Sequence, residues 1–366
     1  MKHLSVLIKP ASSLCNLRCK YCFYADVSNS REICSYGVMS YDTADRIIDN
    51  LFSDLEDGDA LSIAFQGGEP TMAGLPWLEH FVSYAKCKNP SVTLNFALQT
   101  NGILLDDAWC HFLKQHKFLV GLSWDGPPSI HNKNRVDAQG QGTYSTILDT
   151  RRRLLKHGVD HNILCVLTSE AARHPQQVWK FIEDQKIDYI QFIPCLDDLG
   201  SNNQNWALTP MRFYRFYTAL FDSWHAAVQN GKYISIKLFD DIANLFVYRQ
   251  VTACGLTGHC SMQCVIEADG SVYPCDFYVL DEYKLGSLRT DSLSELFQSY
   301  FRSKFDDIRP QLPPLCTQCK YASACSGGCK RMRNSMYIDG NFCGYRALLD
   351  DILDPLCRDA QKLRQK

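Results

Sequence analysis

The sequence has no apolar run that reaches the roughly 18 residues of a membrane span. Met1 to Pro10 hold too short an apolar stretch for a secretory signal. No charge excess of either sign is present: 38 Lys and Arg stand against 40 Asp and Glu, a formal net charge of -2. Without a basic surplus or a long Lys/Arg run, nucleic acid and anionic membrane are not expected partners. No internal repeat stands out, apart from two similar short cysteine arrays near the C-terminal end. These absences predict a soluble, cytoplasmic protein. Its 366 residues, 46% of them hydrophobic, suffice for a large core and two or three domains.

Eighteen cysteines are the outlying feature. In an exported chain they would suggest disulfides, but without an export signal they point to metal ligands. Three lie at Cys15, Cys19 and Cys22. Nine lie between Cys254 and Cys343. The other six (Cys34, Cys87, Cys110, Cys165, Cys195 and Cys357) are scattered singly. A lone cysteine reads as a small buried apolar residue.

Short apolar runs alternate with helix-like segments. Residues 4–8, 60–66, 92–99, 118–124, 162–168 and 189–193 have the length and β-branched content of buried parallel strands. Amphipathic stretches at 41–55, 106–116, 144–157 and 176–185 lie between them, with Ser40 as an N-cap and Gly158 as a C-terminal stop. Six such units predict an α/β fold, a parallel sheet forming an open, partial (β/α)6 barrel, with its site at the C-terminal strand ends. Residues 67–70, 100–102 and 123–126 fall at those ends. An aromatic stripe at 213–224 reads as core. After about residue 252 regular periodicity gives way to Cys and Gly, so a boundary is expected near 240–250. The expected domains are 1–240, a Cys-rich and mostly irregular 241–345, and a helical tail, 346–366.

Thiolates suit Fe–S clusters or zinc. Three within eight residues reach one face of a cubane and leave one iron open. A zinc site would need a fourth close ligand, and the nearest cysteine, Cys34, is twelve residues on. Cys15-Asn-Leu-Arg-Cys19-Lys-Tyr21-Cys22 resembles the radical S-adenosylmethionine (SAM) signature, including the aromatic Tyr21 before the last cysteine. Gln66-Gly67-Gly68-Glu69-Pro70 resembles that family's GGEP motif, whose glycines allow backbone approach to the methionine part of SAM. The resemblance implies a 4Fe–4S cluster whose free iron binds SAM and whose electron generates a 5′-deoxyadenosyl radical. It further implies SAM contacts at Tyr21, Gly68, Ser123 (ribose), Arg135 (carboxylate) and Leu196 (adenine side).

The later spacings are C-x5-C at 254 and 260, then Cys275, C-x2-C at 316 and 319, Cys325, Cys329 and Cys343, with Cys264 between. Taken alone, they also fit two four-cysteine zinc sites. The region resembles the SPASM extension of radical SAM peptide-modifying enzymes. That resemblance implies one auxiliary cluster on Cys254, Cys260, Cys275 and Cys329, a second on Cys316, Cys319, Cys325 and Cys343, and Cys264 as the spare. The chain would then carry three 4Fe–4S clusters. Four-cysteine ligation leaves no open iron and suits electron transfer or protection of the fold.

Asp276, directly after Cys275, reads on its own as a solvated or capping residue or as a general base. Tyr273-Pro274-Cys275-Asp276-Phe277-Tyr278 resembles the anaerobic sulfatase-maturating enzymes, in which this Asp is the proposed proton acceptor. Leu7-Ile8-Lys9-Pro10-Ala11-Ser12-Ser13 and the segments 65–70, 98–102, 118–126 and 270–280 look like the same family, and the match covers nearly the whole chain. The implied activity is oxidation of a Cys or Ser in a sulfatase polypeptide to Cα-formylglycine, fed by a low-potential electron donor. One rival is another SPASM peptide modifier, such as a thioether-forming maturase. Those enzymes commonly carry an extra N-terminal recognition domain, for which a first strand at about residue 4 leaves no room. A rival from another class is a non-catalytic multi-zinc protein.

Overall fold

A computed structural model describes residues 1–200, 205–308 and 311–364, so the last two residues of the expected tail lie outside the described range. The chain divides into two compact units. The first comprises Met1–Ser123, Arg135–His161 and Ser261–Asp307; the second comprises Trp124–Asn134, Asn162–Cys260 and Ile308–Lys366.

In the first unit, β1 (His3–Ile8), β2 (Ala60–Phe65), β3 (Thr93–Thr100) and β4 (Leu119–Ser123) pair in parallel and in sequence order. Helices α1 (Phe23–Asn29), α2 (Tyr41–Ser53), α3 (Leu75–Lys88) and α4 (Asp107–Gln115) connect them. α2 starts where predicted, because the Ser40 hydroxyl accepts the Thr43 N–H at 3.1 Å. Its buried Ala44, Ile47, Ile48 and Leu51 follow helical spacing. Phe65 sits among Trp77, Phe81 and Phe118, with its ring 5.1 Å from that of Phe81. Its truncation to Ala would cost about 3–5 kcal/mol.

Ser261–Asp307 belongs to this unit through pairing. Its strands β8 (Val265–Ile266), β9 (Ser271–Tyr273) and β10 (Gly286–Ser287) extend the sheet beyond β1. β8 runs parallel to β1, with Ile8 opposite Ile266, and β9 returns antiparallel to β8.

The second unit holds α5 (Pro128–Asn134), most of β5 (His161–Leu167), and β6 (Tyr189–Pro194) and β7 (Ser235–Ile236), the three strands again parallel. Between α4 and β5 the chain also forms α6 (Tyr144–His157), in the first unit, which closes on Gly158 in the left-handed conformation (φ 63°) as expected. α7 (Pro175–Asp184), α8 (Pro210–Gln229) and α9 (Lys237–Val247) follow. The boundary expected near 240–250 therefore begins inside α9. The aromatic stripe is core: Phe213, Phe216, Tyr217, Phe221 and Trp224 are buried, and Trp224 donates to the Ile234 carbonyl at 2.8 Å. A final helix, Gly344–Arg364, packs on α8 and α9. No helix among the described residues is long and apolar enough to cross a membrane.

Candidate active site

β1 leads into the loop of Cys15, Cys19 and Cys22, all half-buried. Cys22 caps α1, its Sγ accepting the Ala25 N–H at 3.4 Å. Cys15 Sγ accepts the Leu17 N–H at 3.4 Å and the Asn101 amide at 3.8 Å. Cys19 Sγ accepts from the Arg135 guanidinium at 3.9 Å. Each sulfur thus faces an N–H donor, which favours the thiolate a metal needs. Burial pushes the Cys15 thiol up, the Leu17 N–H opposes the rise, and nearby Glu69 and Cys22 add to it. A cationic centre would relieve that crowding of negative charge.

The turn after β2 lies against this loop. Gly68 N–H donates to the Ser12 carbonyl and Glu69 N–H to the Leu14 carbonyl, both at 2.8 Å. A Cβ at Gly68 would stand 2.3 Å from the Leu14 carbonyl oxygen. The glycine is therefore needed by the cysteine loop itself, in addition to any approach by SAM. Glu69, almost fully buried, accepts from Thr71, Thr100 and Asn101, so the ends of β2 and β3 share one carboxylate. The Arg135 guanidinium carbon stands 5.7 Å from the Tyr21 ring centroid. Ser123 is the buried last residue of β4. Leu196 belongs to the second unit, buried just past β6.

The β8–β9 hairpin brings Asp276 to the ends of β1 and β2. Lys9 Nζ lies 2.5 Å from Asp276 Oδ1, and Gln66 Nε2 donates to Oδ2 at 2.6 Å. The Asp276 N–H donates to Gln263 Oε1 at 3.0 Å. Asp276 is thus a buried, positioned carboxylate rather than a solvated one. Sequence reading quoted Lys9 and Gln66 only as parts of longer stretches. The available signal was a polar residue directly after a mainly apolar strand in each case.

In the second unit, Cys316, Cys319, Cys325 and Cys343 line one small pocket with Tyr337 and Tyr345. Burial pushes the Cys325 thiol up to about 12, and the neighbouring Cys343, Cys316 and Cys319 add to the rise. Four half-buried cysteines lining one pocket have the donor set of a metal cluster. Cys329 N–H donates to the Gly255 carbonyl at 2.9 Å, which sets Cys329 beside Gly255, the residue after Cys254, despite their separation in sequence. Cys260 lies in the same unit, whereas Cys275 lies in the first.

Residues 10–181 match the radical SAM superfamily, and residues 258–320 match SPASM, an iron-sulfur cluster-binding domain. The cysteine-type anaerobic sulfatase-maturating enzyme of Clostridium perfringens is 41% identical over 92% of this chain and 91% of its own. The chain belongs to the anaerobic sulfatase-maturating enzymes. The serine-type anaerobic sulfatase-maturating enzyme of Bacteroides thetaiotaomicron is 30% identical over 93% of this chain and 85% of its own. A solved structure of native anSMEcpe with bound AdoMet superposes with a TM-score of 0.89 at 38% identity, covering 98% of this chain and 99% of that one. A second holds AdoMet and the Kp18Cys peptide, at a TM-score of 0.89 and 37% identity, covering 98% and 99%. The radical SAM α/β fold with a following SPASM domain is therefore that of the anaerobic sulfatase-maturating enzymes.

Proposed function

We propose that this protein oxidises a Cys or Ser side chain of a sulfatase polypeptide to Cα-formylglycine. The observation that carries the reading is the Asp276 carboxylate, fixed by Lys9 and Gln66 at the strand ends that also carry the Cys15–Cys19–Cys22 loop. Cys15, Cys19 and Cys22 would hold a 4Fe–4S cluster with one open iron. Cys254, Cys260, Cys275 and Cys329 would hold a second cluster, and Cys316, Cys319, Cys325 and Cys343 a third. When bound, the first cluster and SAM supply the adenosyl radical that takes a Cβ hydrogen, and the auxiliary clusters, reoxidised through a redox partner, take up the remaining electron.

The chain's own residues do the rest. Arg135 would pair with the SAM carboxylate, the Gly68 backbone would approach its methionine part, Tyr21 would pack beside Arg135, and Ser123 and Leu196 would meet the ribose and adenine. Asp276 would accept the thiol or hydroxyl proton as the Cβ radical is oxidised. A Ser then gives the aldehyde directly, and a Cys gives a thioaldehyde that water hydrolyses with release of hydrogen sulfide. Exclusion of water from the reacting carbon until then favours the radical path. The expected domains would then divide the work: residues 1–240 for the radical step, 241–345 for electron uptake and, through Asp276, the proton step, with 346–366 as a helical tail. Dependence on a low-potential donor and on SAM would suit a cytoplasmic protein.

The test is anaerobic incubation with SAM, a reductant and a sulfatase-motif peptide, read by mass spectrometry. Formylglycine is expected with the wild type. Asp276→Asn is expected to cleave SAM while losing about 10²–10⁴-fold of product, the usual worth of a general base. Unchanged product would remove Asp276 from the role.

A further inference from the structure

We propose that Lys9 is a positioning residue for the Asp276 carboxylate and that Glu267, Arg31 and Tyr24 hold it in place; this rests on Asp276 as the proton acceptor. Lys9 directly follows β1, and its side chain has no solvent exposure. A fully buried lysine needs a reason, since its ammonium gives up hydration that only good partners replace. An ion pair and an aromatic face stand in for that hydration, while Nζ makes no hydrogen bond of regular geometry among the described residues. Toward the site, Nζ meets Asp276 Oδ1 at 2.5 Å. Away from it, Nζ lies 3.7 Å from the Tyr24 ring centroid, a cation–π contact.

The Tyr24 hydroxyl donates to Glu267 Oε1, and Arg31 reaches the same oxygen at 2.7 Å. Burial works to raise the Glu267 carboxyl, but the charge of Lys9, followed by Arg31 and Tyr24, holds it below the usual carboxylate value. The formal charges of Lys9, Arg31, Glu267 and Asp276 cancel, so the group is neutral as a whole.

The backbone is fitted to this arrangement. Lys9 N–H donates to the Ile266 carbonyl at 2.8 Å, which fixes the residue beside Glu267. A Cβ at Gly67 would come within 3.2 Å of Lys9 Cβ and 2.9 Å of the Ser12 carbonyl oxygen. Gly67 therefore leaves the room that the lysine stem occupies. With one carboxylate oxygen on Lys9 and the other on Gln66, the plane of Asp276 is set. Each oxygen keeps a further acceptor site for a substrate proton.

The experiment compares wild type, Lys9→Met, Lys9→Arg, Asp276→Asn and the Lys9→Met/Asp276→Asn double variant as reconstituted holoproteins. Iron content, SAM binding, 5′-deoxyadenosine and formylglycine are measured with a Cβ-deuterated cysteine peptide. Lys9→Met is expected to keep iron, SAM binding and deuterium transfer into 5′-deoxyadenosine, while formylglycine falls about 10²-fold, the cost of a misplaced group. Lys9→Arg should recover much of that loss, and in the Asp276→Asn background Lys9→Met should lower the residual product no further. If Lys9→Met does not hold iron, Lys9→Gln, uncharged but polar, serves in its place with the same expected signature.

The proposal is overturned if the neutral variant keeps wild-type formylglycine, or if it loses deuterium transfer and product together. It is equally overturned if its effect is undiminished in the Asp276→Asn background. Absence of formylglycine from the wild type is a separate outcome, which overturns the functional reading as a whole.

Discussion

The backbone N–H of Asn101 donates to the buried carboxylate of Glu69 at 2.7 Å. The Asn101 side chain turns the other way, its amide reaching Asn16 Oδ1 at 2.7 Å and Cys15 Sγ at 3.8 Å. One residue at the end of β3 therefore links the turn after β2 to the first cysteine. Thr71 and Thr100 also donate to Glu69. Burial raises the Glu69 carboxyl, and these hydrogen bonds oppose the rise.

Glu69→Ala should therefore act as a stability variant before it acts on chemistry. It strands buried donors from three residues, each worth about 1–3 kcal/mol when left unpaired. A loss on the order of 3 kcal/mol or more is expected in anaerobic urea unfolding of the reconstituted protein. Glu69→Gln should fall between the two, because its amide keeps one acceptor oxygen but turns a donor toward the other N–H and O–H groups. Equal stability of Glu69→Ala and wild type would show that the strand ends are held by other contacts.

Arg135 touches Cys19 Sγ and stands beside Tyr21. If its guanidinium also binds the SAM carboxylate, Arg135→Ala removes a charge-assisted hydrogen bond worth about 1.5–3 kcal/mol. SAM affinity, measured by equilibrium dialysis on the iron-loaded protein, should drop about 10- to 100-fold. Iron content should hold, because all three cysteines remain and the Arg135 contact to Cys19 Sγ is long, at 3.9 Å. Arg135→Lys should restore only part of the affinity, as an ammonium lacks the planar two-pronged fit.

The six strands of the two units were legible because each is a short, mainly apolar run between polar turns, with buried residues alternating with less buried ones along most of them. Predicted and observed ends agree within about two residues, as for 189–193 against Tyr189–Pro194. α3 was missed: its polar and apolar residues are poorly segregated, and its start depends on Gly74 at φ 89° followed by Pro76. Strands β7 to β10 hold two or three residues each, too few to show any period. They exist because a neighbouring strand offers a partner. The same non-locality hid the surroundings of Asp276. Gln66 is 210 residues away in sequence, and nothing near Lys9 announces the hairpin that covers it.

His161 provides a pH prediction near neutrality. It opens β5, with Nδ1 2.9 Å from the Val159 carbonyl. Burial depresses its pKa below the ordinary 6.5, the Val159 hydrogen bond and Asp160 oppose this, and Arg151 adds to it. The unfolded chain then binds a proton at a higher pH than the folded one. As pH falls through about 6.5 the unfolded state gains protons first, so His161 lowers stability there, and the loss levels off below the folded value. His161→Gln should flatten the stability profile between about pH 7.5 and 5.5. An unchanged slope in anaerobic urea titrations would assign the pH dependence elsewhere.

Cys264 and Cys325 separate a buried cysteine from a ligand by experiment. Both thiols are pushed up to about 12 by burial, but Cys325 has Cys343, Cys316 and Cys319 adding to the rise, whereas burial alone acts on Cys264. Cys264 is nearly inaccessible and sits in the left-handed region (φ 48°), and it is its carbonyl that meets the Leu7 N–H, at 3.2 Å. Its backbone serves the β1–β8 pairing, while its side chain behaves as a small apolar filler. Cys264→Ala should keep the wild-type iron content, about twelve per chain for three 4Fe–4S clusters, with an unchanged charge-transfer absorbance. Cys325→Ala removes one of four sulfurs in a shared pocket and should lose up to about four irons, with the absorbance near 400 nm reduced in proportion. Loss of iron from Cys264→Ala would make the spare cysteine a ligand and require one of Cys254, Cys260, Cys275 or Cys329 to be released from that role.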